Sequence, residues 1–189
     1  MGASQYYFAS PSALLPGSGR APVSVLARGG AARPERPEDE PLQVLTTLDD
    51  VRAANRRALS MAQRLVSIYT SDLEPKLYEH EPFLELVQRF LLAHSFAKIR
   101  LLTQRAVSYT TPHQLAAMRR RLSGHIEIRC VAPQFAARTH GLLIADNRAI
   151  VYRAQAGSHE GVAGFGQPPM ARLYLRQFDE MWVASAPKY

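Results

Sequence analysis

Apolar residues in this chain follow two alternating spacings. From Thr47 the helical period dominates: Leu48, Val51, Ala54, Ala58, Leu59, Ala62 and Leu65 recur at helical spacing. Thr47 with an acid at Asp50 is a helix-start signature. Arg64–Thr70 then turns rich in branched and aromatic residues and predicts a strand, which Ser71-Asp72-Leu73-Glu74-Pro75 stops. Glu81-Pro82 opens a second helix, with Phe83, Leu84, Leu86, Val87, Phe90 and Leu91 on one face. Ala97–Thr103 predicts the next strand. Thr111-Pro112-His113-Gln114 forms a capping pattern for a third helix carrying Leu115, Met118 and Leu122, with Gly124 placed to end it.

His125–Val131 alternates apolar and polar residues and predicts a third strand. Gly141–Ala145 and Ala149–Tyr152, joined across Asp146-Asn147-Arg148, predict an antiparallel hairpin. Pro168 and Pro169 precede a final helix with Leu173, Phe178, Met181 and Trp182 on one side. The order α-β-α-β-α-β-β-β-α predicts a three-layer α/β domain. Its mixed sheet is parallel through the crossovers and antiparallel in the terminal hairpin.

Residues 1–41 carry no lasting period and are rich in Pro, Gly, Ala and Arg, the composition of a disordered tail. The expected division is a tail over 1–41 and one domain over 42–189. At 47% apolar residues, the chain has enough material for a sizeable core. The one cysteine, Cys130, excludes a disulfide framework and reads as a small strand residue. No apolar run reaches the roughly 20 residues of a membrane-spanning helix. The first residues match neither a signal peptide nor a myristoylation pattern, so the expectation is a cytoplasmic protein.

The net charge of +7 is uneven, because residues 98–189 hold thirteen basic and five acidic side chains. Such a half is suited to an anionic ligand, a nucleic acid or an acidic partner; an arginine-rich surface without a ligand has the same composition. Arg119, Arg120 and Arg121 are the densest cluster, read as a phosphate-binding patch or as a solvated helix face.

The chemistry-bearing stretch runs from His140-Gly141-Leu142-Leu143-Ile144-Ala145-Asp146 through Gly157-Ser158 to Phe178-Asp179-Glu180-Met181-Trp182. Together with the element order over residues 42–184, it resembles one half of the phospholipase D superfamily. The resemblance implies that fold. It also implies a site built from His-x-Lys, a following Asp, Gly-Ser and Asn, in which the histidine takes the phosphoryl group and the lysine neutralises its oxygens.

His140 stands in the first slot and Leu142 in the lysine slot. Asp146 falls one residue early, Gly157-Ser158 about three late, and Gly161 replaces the asparagine. A lost preorganised donor costs a phosphoryl-transfer barrier about 2.7–4 kcal/mol, so the resemblance implies a degenerate site. Active members use two motif copies; this chain has one, so residual phosphodiesterase action requires a homodimer. Ser71–Tyr78 and Phe178–Trp182 also resemble an uncharacterised bacterial phospholipase-D-like domain linked to GNAT-type acetyltransferases, which implies such an enzyme as partner.

The expected site groups His140, Ser158 and Arg153, with Arg153 as the ligand-binding cation in place of the lysine. No catalytic residue, cofactor or metal is assigned, and His140 and Ser158 are vestigial. Ser158-His159-Glu160 holds triad residue types, but adjacent residues face apart. His125, His140 and His159 lack metal-ligand spacing, and Gly161–Gly166 reads as a turn. The leading reading is a non-catalytic ligand-sensing or protein-interaction module. The alternatives are a weak nucleic-acid binder using the basic half and a residual phosphodiesterase.

Overall fold

The structure is a computed structural model. It describes residues 40–105, 114–122, 124–166 and 168–185. The tail expected over 1–41, apart from its last two residues, and the capping pattern at Thr111–His113 lie outside the described residues.

The elements are β1 (Gln43–Leu45), α1 (Leu48–Met61), β2 (Leu65–Thr70), α2 (Pro75–Tyr78), α3 (Glu81–Ala93), β3 (Lys98–Thr103), α4 (Gln114–Arg121), β4 (Ile126–Cys130), β5 (Gly141–Ala145), β6 (Ala149–Arg153), β7 (Gly161–Phe165) and α5 (Pro168–Ala184). The strands form one mixed sheet in the order β1-β7-β6-β5-β2-β3-β4. β2, β3 and β4 run parallel; the remaining neighbours are antiparallel. This is the flanked mixed sheet that the alternation of periods predicts.

Alternation along the central strands divides the core in two. Val66, Ile68, Leu143 and Val151 join the cluster under α1, α3 and α4, while Tyr69, Leu142, Ile144 and Ile150 join Phe178 and Met181 of α5. β2 and β5 are covered on both sides, which explains their nearly continuous apolar text. α1 begins as its sequence directs: Thr47 Oγ1 accepts from Asp50 N–H, and the Asp50 carboxylate accepts from Thr47 N–H.

Three elements differ from the sequence reading. β7 occupies the glycine-rich run that reads as a turn, because Gly161 and Gly164 hide the strand period while Ala163 and Phe165 still reach the core. β1 is three residues long, too short to show a period, and its pairing with β7 holds it. The Pro75–Tyr78 turn is helical where only a strand stop is expected.

The Phe178–Trp182 motif fastens α5 to the sheet. Phe178 and Met181 are fully buried. Asp179 pairs with Arg100 of β3 at 2.7 Å. The Arg129 guanidinium lies 4.2 Å from the Trp182 ring centre and donates to the Trp182 carbonyl at 2.8 Å. Phe178→Ala removes a ring that closes one of the two core layers and should lower unfolding stability by about 3–5 kcal/mol, read by urea denaturation followed by circular dichroism.

Candidate functional site

His140 lies just before β5, at the end of the sheet where β2 finishes. Its segment is held from below: Tyr69 Oη donates to the Arg138 carbonyl at 2.6 Å, and Gln104 Nε2 donates to that same carbonyl and to Tyr69 Oη. The His140 ring sits 4.8 Å from the Tyr69 ring and stacks on Tyr152 at 5.7 Å. Tyr152 in turn meets Tyr174 of α5 at 5.0 Å. Burial, with help from the Arg138 charge, holds the His140 imidazole below its ordinary pKa, so the ring is neutral at pH 7.

Outside this ladder lies a cleft of about 740 Å³, lined among others by His140, Tyr152, Tyr174, Arg138 and Arg176. A slightly larger groove of about 770 Å³ lies between α3 and α4, on the other side of the sheet. Glu81 and Glu85 line that groove together with Arg121. Of the expected basic patch, Arg120 and Arg121 are exposed and Arg119 is half-buried. The cleft beside His140 holds the chemistry the sequence points to, although it is the smaller of the two.

The structure separates the residues expected to share one pocket. Leu142, in the lysine slot, is buried within the core beneath α5. Arg153 pairs across the β5–β6 ladder with Gly141, one position out of phase with the Tyr152–Leu142 pair, so its side chain leaves by the opposite face from His140. There it is only 1% exposed. Its two terminal nitrogens donate to the Glu74 carboxylate at 2.8 and 2.6 Å, and Nη1 also donates to the Ser158 carbonyl at 2.9 Å. Arg153 is therefore a buried internal cation, and not the phosphate-binding cation of a His140 pocket.

Other motif positions serve the same construction. A side chain at Gly141 would meet the Arg153 guanidinium, with Nη2 only 2.5 Å from a Cβ. Gly157, at φ +88°, turns its N–H to Glu74 Oε1 at 3.0 Å. Ser158 Oγ accepts from Glu160 N–H in a local turn and makes no triad. Asp146, at the far end of the hairpin, accepts from the backbone of Gln63, Arg64 and Leu65 and ties the β5–β6 turn to the α1–β2 connection. Among the described residues no three metal-ligating side chains cluster.

Glu74 and Tyr78 are not marked as functional positions by the sequence; the one signal available is an arginine directly after the apolar run Ala149-Ile-Val-Tyr152, since a cation that becomes buried needs an acid partner. Leu73 and Glu74 both adopt left-handed backbone, at φ 74° and 34°. Burial alone would raise the Glu74 pKa. The hydrogen bonds and charge of Arg153, with Thr70 Oγ1 donating at 2.5 Å and Gly157 N–H, outweigh that and hold it below the ordinary glutamate value. Burial pushes the fully enclosed Tyr78 hydroxyl, which lies beside Arg153, up to about 12.

Removing one partner of a buried pair leaves the other charged and unpaired, so Arg153→Met should lower stability by about 3–5 kcal/mol, measured by urea denaturation. The double variant with Glu74→Met should recover part of that loss. Because the folded Glu74 carboxyl titrates below its unfolded value, its contribution is complete above the unfolded pKa and is lost as pH falls through the folded pKa. Glu74→Gln should thus flatten the acid limb of the stability–pH curve below about pH 4.5.

The fold recurs among solved structures. It is similar to Nuc from Salmonella typhimurium, a phospholipase D family member, with TM-score 0.56 and 16% identity over 78% of this chain and 97% of that one. NucT from Helicobacter pylori is similar at TM-score 0.53 and 10% identity, over 78% and 98%. TrmBL2, an archaeal chromatin protein whose structure shows a novel mode of DNA binding, is similar at TM-score 0.57 and 14% identity, over 79% of this chain and 56% of that one. This chain thus spans just over half the length of TrmBL2. At these identities the likeness shows a phospholipase-D-like fold and nothing finer. No curated protein matches the sequence. Residues 47–189 match the model of DUF7931, a domain of unknown function, and the chain belongs to that family.

Proposed function

We propose that this domain is a phospholipase-D-like module that binds a ligand or partner and does not hydrolyse phosphodiesters. One observation carries the reading: the position where a phosphate-neutralising lysine would stand is Leu142, 1% exposed in the core beneath α5. A leucine there donates nothing to a phosphate, and the nearby Arg153 is committed to Glu74 on the other face. The neutral His140 ring remains at the cleft wall.

The resemblance to acetyltransferase-linked domains supplies a partner class for such a module. In this chain the apolar residues of the segments that carry it, Leu77, Tyr78, Phe178 and Met181, are buried, and it is their polar positions Asp72, Lys76 and Glu180 that are exposed to such a partner.

A second reading, weak nucleic-acid binding, draws on the net +8 over residues 98–189 and the exposed Arg120 and Arg121. It also draws on the DNA-binding chromatin protein among the similar folds. On that reading the affinity for duplex DNA falls steeply with salt through counterion release. A gel shift absent even at low salt removes it.

The first reading predicts that the protein turns over bis(p-nitrophenyl) phosphate no faster than buffer, including at concentrations where any homodimer is populated, and that His140→Ala changes nothing. Turnover above buffer that His140→Ala abolishes would overturn it in favour of a residual phosphodiesterase acting as a dimer.

A further inference from the structure

We infer that the cleft beside His140 is a nucleotide site, in which a base stacks against the Tyr152–Tyr174 wall and a phosphate is held by Arg138 and Arg176. The inference deepens the non-hydrolytic reading of the His140 site and rests on it.

Three features of the cleft favour this ligand. The first is the run of rings. Tyr69, His140, Tyr152 and Tyr174 follow one another at 4.8, 5.7 and 5.0 Å, from a fully buried tyrosine out to half-buried rings on the cleft wall. The inner rings are fixed by packing and by the Tyr69–Arg138 hydrogen bond, and the outer two, Tyr152 and Tyr174, are tilted 42° to each other, so a base stacks on one of these held rings at a time. Leu173, 47% exposed, extends the apolar part of the wall.

The second is charge. Arg138 and Arg176 both line the cleft, and neither has an ion pair among the described residues. Other arginines nearby are engaged: Arg100 with Asp179, Arg129 with Glu127, Arg153 with Glu74. Arg138 also lies over the Phe135 ring at 5.2 Å, and two guanidiniums without a carboxylate partner beside one cleft suit a phosphate, which takes planar donors in pairs. His140 adds a hydrogen-bonding ring to the same wall.

The third is the acceptor side. Gln177 and Glu180 also line the cleft. Glu180 lies one helical turn beyond Arg176 on α5, about 6 Å along the axis. Carboxylate and amide oxygens there match the N–H groups of a base edge. A cleft of about 740 Å³ is within the size range of small-molecule sites.

The same nucleotide chemistry is presented by a free mononucleotide and by the phosphorylated end of a single strand. Calorimetric titration of the full chain with AMP, GMP, CMP and UMP, with adenosine, with inorganic phosphate and with a 5′-phosphorylated tetranucleotide separates them. At least one mononucleotide is expected to bind at least tenfold tighter than adenosine or phosphate alone. Tyr174→Ala and Arg176→Ala should each weaken it about tenfold, and Tyr174→Phe should retain it. Melting curves of the three variants, all altered at partly exposed positions, confirm that the fold is kept.

A tighter tetranucleotide points to a strand end as the ligand, and an equal or weaker one to the free nucleotide. Absence of binding by every mononucleotide and by the tetranucleotide at millimolar concentration overturns the inference. So does phosphate binding as tightly as nucleotide, or an affinity that Tyr174→Ala leaves unchanged in a folded protein. Chromatography of the titrated nucleotide and the bis(p-nitrophenyl) phosphate assay report separately on hydrolysis, so the non-hydrolytic reading fails only if those show turnover.

Discussion

The end of the sheet that carries His140 depends on one buried ion pair, Glu74–Arg153. A guanidinium at 1% exposure is tolerable only because a carboxylate meets both of its terminal nitrogens and a carbonyl takes a further hydrogen bond. The pair also organises the chain around it. Glu74 reaches inward because two successive residues adopt left-handed backbone. Gly141 is small because the guanidinium fills the space a methyl would need, and Gly157 turns an N–H to the same carboxylate. The loop after β2, the start of β5, the end of β6 and the turn leading to β7 are thus joined at one point.

That arrangement gives the motif residues a different meaning from the one their spacing suggests. Gly141, Gly157 and Ser158 surround the ion pair on the α1 side of the sheet, while His140 and Leu142 face α5. Asp146 secures the opposite end of the hairpin through three backbone N–H groups. A histidine motif read along the chain is divided by strand alternation between two faces, and only His140 reaches the cleft.

The α5 face has its own logic. Phe178, Met181 and Trp182 close the core layer, and Asp179 and two arginines of the sheet fasten the helix at its edge. With α5 held in register, its other positions, Tyr174 and Arg176 among them, stand over His140 and make a cleft where the sheet alone would offer a flat surface.

Local pattern determined most of the architecture. Helical and strand periods at Leu48–Met61, Phe83–Leu91 and His125–Val131 are strong because each segment buries one face against a neighbour, and the burial imposes the period. β7 escaped because glycines carry no side chain to mark a face, and β1 because three residues contain no period. The sequence by itself also determined that the lysine slot holds Leu142 and that Arg153 follows an apolar run. Only the tertiary structure decided which face Arg153 takes and that its partner is Glu74, 79 residues away in the chain. It alone brought Tyr152 and Tyr174 together beside His140. The physical reason is that a strand's alternation is legible locally, whereas the partner of a buried charge and the walls of a cleft come from segments that meet only when the sheet closes.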